Sequence, residues 1–182
     1  MFFAGTLLGI VTAQQAIGGR YALTTQSKGP WTVWPTAVQP RIDPYTRAHQ
    51  LSFAFLPPNR FETLEYEAQV DSDGRVLDES CNYVLSGPMP RARWWTLLAV
   101  SAEREIGPPE EHSQGLISQE VVYEPDGTFR VVLSSEPQPG NWVKPPDSGP
   151  PVLLLRLYSP EAALRRDPLA ADLPVVERQV CR

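Results

Sequence analysis

Twenty prolines are spread through this 182-residue chain. Each removes a backbone donor and blocks the helical turn before it, so no long helix can run through most of the sequence. Short strands joined by turns are favoured, and a helical bundle is disfavoured. The period of the apolar residues agrees with this. Over Thr63 to Val70, Leu64, Tyr66, Ala68 and Val70 alternate with Glu65, Glu67 and Gln69, the two-residue repeat of a half-buried strand. Asp71-Ser-Asp-Gly74 then supplies turn chemistry before Arg75 to Leu77, which predicts a hairpin. That turn shares its first residues with a calcium loop but lacks the later ligands and the closing glutamate, and reads as a plain turn.

Further strands are predicted at Cys81 to Ser86, Arg93 to Val100, Ile117 to Tyr123 and Thr128 to Ser134. The last two flank Pro125-Asp-Gly127, a second hairpin signal. In Val152 to Tyr158 both faces are largely apolar, so this strand belongs at the centre of a sheet. Its Arg156 becomes a structural buried charge that requires a carboxylate or a set of carbonyls. Val175 to Val180 reads as an edge strand. Asp43-Pro44 starts a short helix running to about Phe55, with Asp43 as cap and Pro44 in the first turn. The fold class is mainly β: an antiparallel β-sandwich with one or two short helices.

The N-terminal stretch differs from everything after it. Phe2 to Leu23 holds a single charge, Arg20, and a helix of that length just covers the roughly 30 Å hydrocarbon core of a bilayer. Residues 1–23 are therefore expected to form a transmembrane anchor. Gly5, Gly9, Ala13 and Ala16 fall on one side of such a helix, the small-residue pattern that lets two helices pack closely in lipid. No Lys or Arg precedes the span, whereas Arg20 and Lys28 follow it. Taken alone, the positive-inside rule would leave the following domain in the cytoplasm. Residues 24–41, with Pro30, Pro35 and Pro40, read as a linker. Within it Trp31 and Trp34 sit either at the headgroup level as interfacial anchors or against the domain as a strap. Residues 42–182 make up one domain.

The net charge of −5, from sixteen basic and twenty-one acidic residues scattered along the chain, leaves no basic patch for a nucleic acid. Cys81 and Cys181 are too few for a structural zinc site. They either pair, which requires an oxidising compartment, or remain thiols. No catalytic motif occurs, and no metal or cofactor is expected. His49 and His112 read as surface or packing residues. Glu65, Glu67 and Asp71 form a charged sheet surface rather than a glycosidase-like pair. Trp94 and Trp95 are adjacent in a strand and point to opposite faces. Trp142 follows Gly140-Asn141 and either packs in its loop or offers a sugar or partner a flat surface.

Seven ordered motifs carry a family resemblance: Asp43-Pro-Tyr-Thr-Arg-Ala48, Tyr66-x-Ala-x-x-Asp-Ser-Asp-Gly-Arg-x-Leu77, Tyr83, Trp94-Trp-Thr-Leu97, Asp126-Gly-Thr-Phe129, Gly140-Asn-Trp-Val-Lys-Pro145 and Leu155-Arg-Leu-Tyr-Ser-Pro160. Over roughly Ile42 to Val180 the chain resembles the bacterial domain of unknown function 1214 family, in its short, membrane-anchored members. The resemblance implies a jelly-roll type of sandwich, exported and held to the inner membrane as a single-pass protein with its domain in the periplasm. It implies no activity and no catalytic residue. The sequence departs from the family at Val143-Lys144, where a Leu-Pro is usual, and in lacking basic residues before the membrane segment. The expected function is that of a non-catalytic accessory or assembly subunit, contacting an integral membrane protein through the N-terminal helix. The alternative is a periplasmic module that binds glycan or another envelope component.

Overall fold

The computed structural model describes residues 2–18, 25–34, 44, 47–48, 62–101, 115–147 and 149–181. Helix α1 (Phe2–Gly18) leads into strands β1 (Gln26–Lys28), β2 (Trp31–Val33), β3 (Thr63–Ala68), β4 (Cys81–Pro88) and β5 (Ala92–Val100). There follow β6 (Gly115–Ile117), β7 (Thr128–Leu133), β8 (Asn141–Val143) and β9 (Val152–Pro160). A short helix α2 (Ala162–Arg166), a 3-10 turn (Pro168–Ala170) and β10 (Val175–Cys181) complete the order. The strands form a six-stranded sheet, β1-β2-β3-β9-β5-β6, and a four-stranded sheet, β10-β4-β7-β8. Their pairings are antiparallel except between β7 and β8, which run parallel.

Alternation decides which residues meet. On the inner face of the six-stranded sheet, Leu64, Tyr66, Trp95, Leu97, Leu153, Leu155 and Leu157 are buried. They share one hydrophobic cluster with Tyr83, Leu85, Phe129, Val131 and Leu133 of the four-stranded sheet. The Trp95 and Phe129 rings, one from each sheet, lie 4.9 Å apart, within the range of a favourable aromatic pair. Strand β9 lies between β3 and β5, the central place that its two apolar faces require. On its other face Leu154 and Val152 join Val100 and Leu98 in a second, smaller cluster.

Several expectations are corrected. The N-terminal helix is described over Phe2–Gly18, a rise of about 26 Å against a hydrocarbon core of about 30 Å. Among the described residues no helix is long and apolar enough to cross a membrane. The span expected over residues 1–23 is therefore not found; residues 19–24 lie outside the described residues. The linker reading of residues 24–41 fails where it can be checked, because β1 and β2 form a hairpin that extends the sheet through Thr32↔Glu67. Lys28 Nζ is tied to the domain, donating to the carbonyls of Leu169 and Ala171 at 3.0 and 2.8 Å. Strands of three residues are too short to show a period, which is why the sequence reads as linker there.

Both predicted hairpins shrink to single bridges, Val70↔Val76 and Tyr123↔Phe129. The turns are present, with Gly74 and Gly127 at positive φ, but the strands on either side of each turn belong to different sheets. The helix expected from Asp43 to Phe55 falls almost wholly outside the described residues.

The cysteines are bonded, Cys81 to Cys181 across a sequence separation of 100. The bond joins the start of β4 to the end of β10, which stands at the edge of its sheet. At this edge Val176 donates its N–H to Ser72 Oγ, and its carbonyl accepts from the Ser72 N–H, both at 2.8 Å. These contacts cover part of the edge that would otherwise be open for pairing. A closed loop of this length stabilises a fold by up to about 4.7 kcal/mol in the chain-entropy model. Reduction, or the paired change Cys81→Ser and Cys181→Ser, should lower the urea midpoint accordingly. Unchanged midpoints with and without reductant would remove the bond from the account of stability.

Candidate functional site

Two sheet faces turn away from the shared core. On the six-stranded sheet the register sets Glu65 beside Arg156 and Arg156 beside Thr96. Arg156 Nε donates to the Glu65 carboxylate, with the two side chains 25% and 15% exposed. Arg156 is thus half-buried and has the carboxylate that the sequence required. Burial works against its charge, but Glu65 and the neighbouring Tyr158 outweigh that and hold the guanidinium above its ordinary pKa. In the next row Trp94 stacks on Tyr158, the rings parallel and 3.7 Å apart. Glu67, on the same face, accepts from the Gln69 amide.

The four-stranded sheet presents a different outer face. The register aligns Glu177 of β10, Val84 of β4, Val132 of β7 and Trp142 of β8 in one row across all four strands. Arg130 stands one outward position along from Val132, beside Ser86, and Asn82 stands one along from Val84. The parallel pairing of β8 is fixed by Asn141, which is buried. Its amide donates to the carbonyls of Val122 and Arg130 at 2.7 and 2.9 Å, and its oxygen accepts from Val122 N–H at 2.7 Å. Trp142 Nε1 donates to the Ser134 carbonyl at 2.8 Å, which holds the half-buried indole in place.

Asp71 is a heavily bonded carboxylate, 1% exposed. It accepts from the backbone N–H groups of Asp73 and Arg75 at 3.0 and 2.9 Å. It also accepts from Arg75 Nε at 3.0 Å and Arg178 Nε at 3.2 Å. Arg178 further donates to the Val76 carbonyl and lies over the Tyr83 ring. Burial pushes the carboxyl pKa up, but the Arg75 hydrogen bonds and charge, with the Asp73 amide, outweigh it and leave it below the usual value. Asp71 thus fastens the turn after β3 to the edge strand β10. Among the described residues no group of three or more His, Cys, Asp or Glu is placed to hold a metal ion.

The residues singled out from sequence are not gathered in one place. Gly5, Gly9 and Ala13 lie on α1, whose described side chains, 5–14, are all exposed; Ala16 belongs to the same helix. Trp31 is 1% exposed and donates its indole N–H to the Pro174 carbonyl at 2.6 Å. It therefore serves as a strap on the core and is not available as an interfacial or partner-contact aromatic. Trp34 and Trp142 are half-buried. His49 and His112 lie outside the described residues. The sequence reading missed Tyr158 as the partner of Trp94, Arg178 as the partner of Asp71, and the clamp made by Asn141. Each is a contact between strands far apart in the chain, and no local pattern signals it.

The family model described as protein of unknown function (DUF1214) matches residues 62–162. The chain belongs to this family. A crystal structure of the VPA0106 protein from Vibrio parahaemolyticus resembles it with a TM-score of 0.62 at 15% identity, over 75% of this chain and 35% of that one. A putative uncharacterized protein from Burkholderia cenocepacia matches with a TM-score of 0.46 at 20% identity, over 81% of this chain and 45% of that one. The family member described here thus spans less than half the length of either solved chain. No curated protein matches it.

Because the folded-state pKa of Asp71 is depressed, its contribution to stability is complete above the unfolded value of about 3.9 and is lost as pH falls through the folded value. Asp71→Asn should cost about 3 kcal/mol at neutral pH and flatten the loss of stability on acidification. Urea titrations at pH 7 and pH 3 measure both effects. A variant as acid-sensitive as the native chain would exclude Asp71 from that loss.

Proposed function

We propose that the protein is a membrane-attached, non-catalytic accessory subunit, in which α1 seats in the apolar layer of the bacterial inner membrane against a helix of a partner membrane protein. The observation that carries this reading is α1 itself. From Phe2 to Gly18 it has no charged side chain, and Leu7, Leu8, Ile10 and Val11 are exposed. An uncharged helix that exposes large apolar side chains favours an apolar surrounding, with Gln14 and Gln15 at its C-terminal end as its polar part. Its Thr12 hydroxyl is already satisfied by the carbonyls of Leu8 and Gly9 at 2.9 and 3.1 Å, as an apolar surrounding demands. The Cys81–Cys181 bond supports placing the domain in the oxidising periplasm. The sheets are then the two layers of a jelly-roll-like β-sandwich, a reading supported by their shared core and the Trp95–Phe129 contact.

Gly5 and Gly9 make the test clean. A Cβ added at either meets no atom of the described residues outside its own helix within 4 Å, so Gly5→Leu with Gly9→Leu leaves the described domain undisturbed but blocks close approach of a second helix. The native chain should remain in carbonate-washed membranes and migrate in a larger assembly on native gels. The double variant should stay in the membrane but run outside that assembly. Native chain released by carbonate, or an assembly unaffected by the two leucines, would refute the proposal.

A further inference from the structure

The Cys81–Cys181 bond joins two sulfur atoms in unlike surroundings. Cys81 is buried and belongs to the hydrophobic cluster between the sheets. Cys181 is exposed, as are Gln179 and Val180 before it. Strand β10 likewise has two parts. From Val175 to Arg178 it runs in register with β4, and Ser72 and Asp71 hold it through Val176 and Arg178. The register then shifts, and pairing resumes at Cys181↔Cys81, the bonded residues themselves. The disulfide is therefore a clasp on the last residues of the strand, set apart from the contacts that fix the rest of it.

We infer that this bond is a thiol-exchange site, opened in the folded protein by a dithiol whose thiolate attacks the exposed Cys181 sulfur. Access directs the attack. A thiolate is charged and cannot follow Cys81 into the apolar cluster, whereas Cys181 is open to solvent at the sheet edge. The new bond forms between the incoming sulfur and Cys181 Sγ as the Cys81–Cys181 bond breaks. The electron pair of the broken bond leaves with Cys81 Sγ, which takes up the proton that the incoming thiol gave to water. The second thiolate of the dithiol then attacks the incoming sulfur and expels Cys181, so the dithiol is oxidised to a disulfide and both cysteines end as thiols. The Cys81 thiol has a hydrogen-bond partner in place. Ser80 Oγ gives its own proton to Asp78 at 2.6 Å and lies 3.9 Å from Cys81 Sγ, where it can accept the new S–H. A thiol kept protonated among apolar side chains is a poor nucleophile, so Cys181 is also the residue that an oxidised thiol compound modifies. Opening the bond frees Gln179 to Cys181 and leaves the Ser72 and Asp71 contacts in place.

Dithiothreitol added without denaturant to the full-length chain in detergent tests this, with acid quenching, alkylation and mass analysis of the thiols. The bond should open at a rate proportional to the dithiol concentration, and urea below the unfolding transition should change that rate by less than about tenfold. Hydrogen exchange should then quicken at residues 81–83 and 179–181 while the Val176 and Arg178 amides keep their protection. In the single variants, oxidised glutathione should modify Cys181 of Cys81→Ser at least about tenfold faster than Cys81 of Cys181→Ser. Reduction that requires global unfolding, or faster modification of Cys81, would overturn the inference. If either variant does not fold, the rate measured on the native chain decides by itself.

Discussion

Burial of β9 is the constraint on which the described fold depends. Its residues Leu153, Leu155 and Leu157 face the core shared by the sheets, while Val152 and Leu154 face the other way. A strand apolar on both sides must have neighbours on both edges and cover on both faces. Strands β3 and β5 supply the edges, and the four-stranded sheet covers one face. Arg156 is tolerated in such a strand because the register delivers Glu65 directly beside it, removing the cost of an unpaired buried charge.

The edge strand β10 depends on a different kind of force. It has one neighbour in its sheet, β4, and it is held by bonds that span the length of the domain. The disulfide to Cys81, the ion pair of Arg178 with buried Asp71, and the two Ser72 contacts to Val176 all act on this strand. Each is worth more than a surface contact because Asp71 and Val176 are shielded from water. The same fastenings draw in the turn at Asp71, so residues 71–76 serve as a cover for the sheet edge instead of closing a hairpin.

The two outer faces are built differently. On the six-stranded sheet Arg156 pairs with Glu65 and Trp94 stacks on Tyr158, while among the described residues the buried Thr96 hydroxyl beside Arg156 has no partner; on the four-stranded sheet Trp142 is fixed by its bond to Ser134. Apart from both stands α1, uncharged and exposed.

The sequence by itself determined what depends on near neighbours. Prolines forced short elements, alternation chose which side of β3, β5 and β9 would be buried, and the Asp-Gly turns placed Gly74 and Gly127 where a positive φ is needed. It also required a partner for Arg156 and offered Cys81 and Cys181 as a pair. What the tertiary structure decided is the assignment of strands to sheets. Two turns with hairpin chemistry pass the chain from one sheet to the other, because the core rewards burying Leu77 and Val121 more than a longer ladder would. Trp31, placed by sequence between membrane surface and domain, was drawn inside by the Pro174 carbonyl, 143 residues away. Such contacts join segments whose local patterns are independent of one another, so no window of sequence contains them.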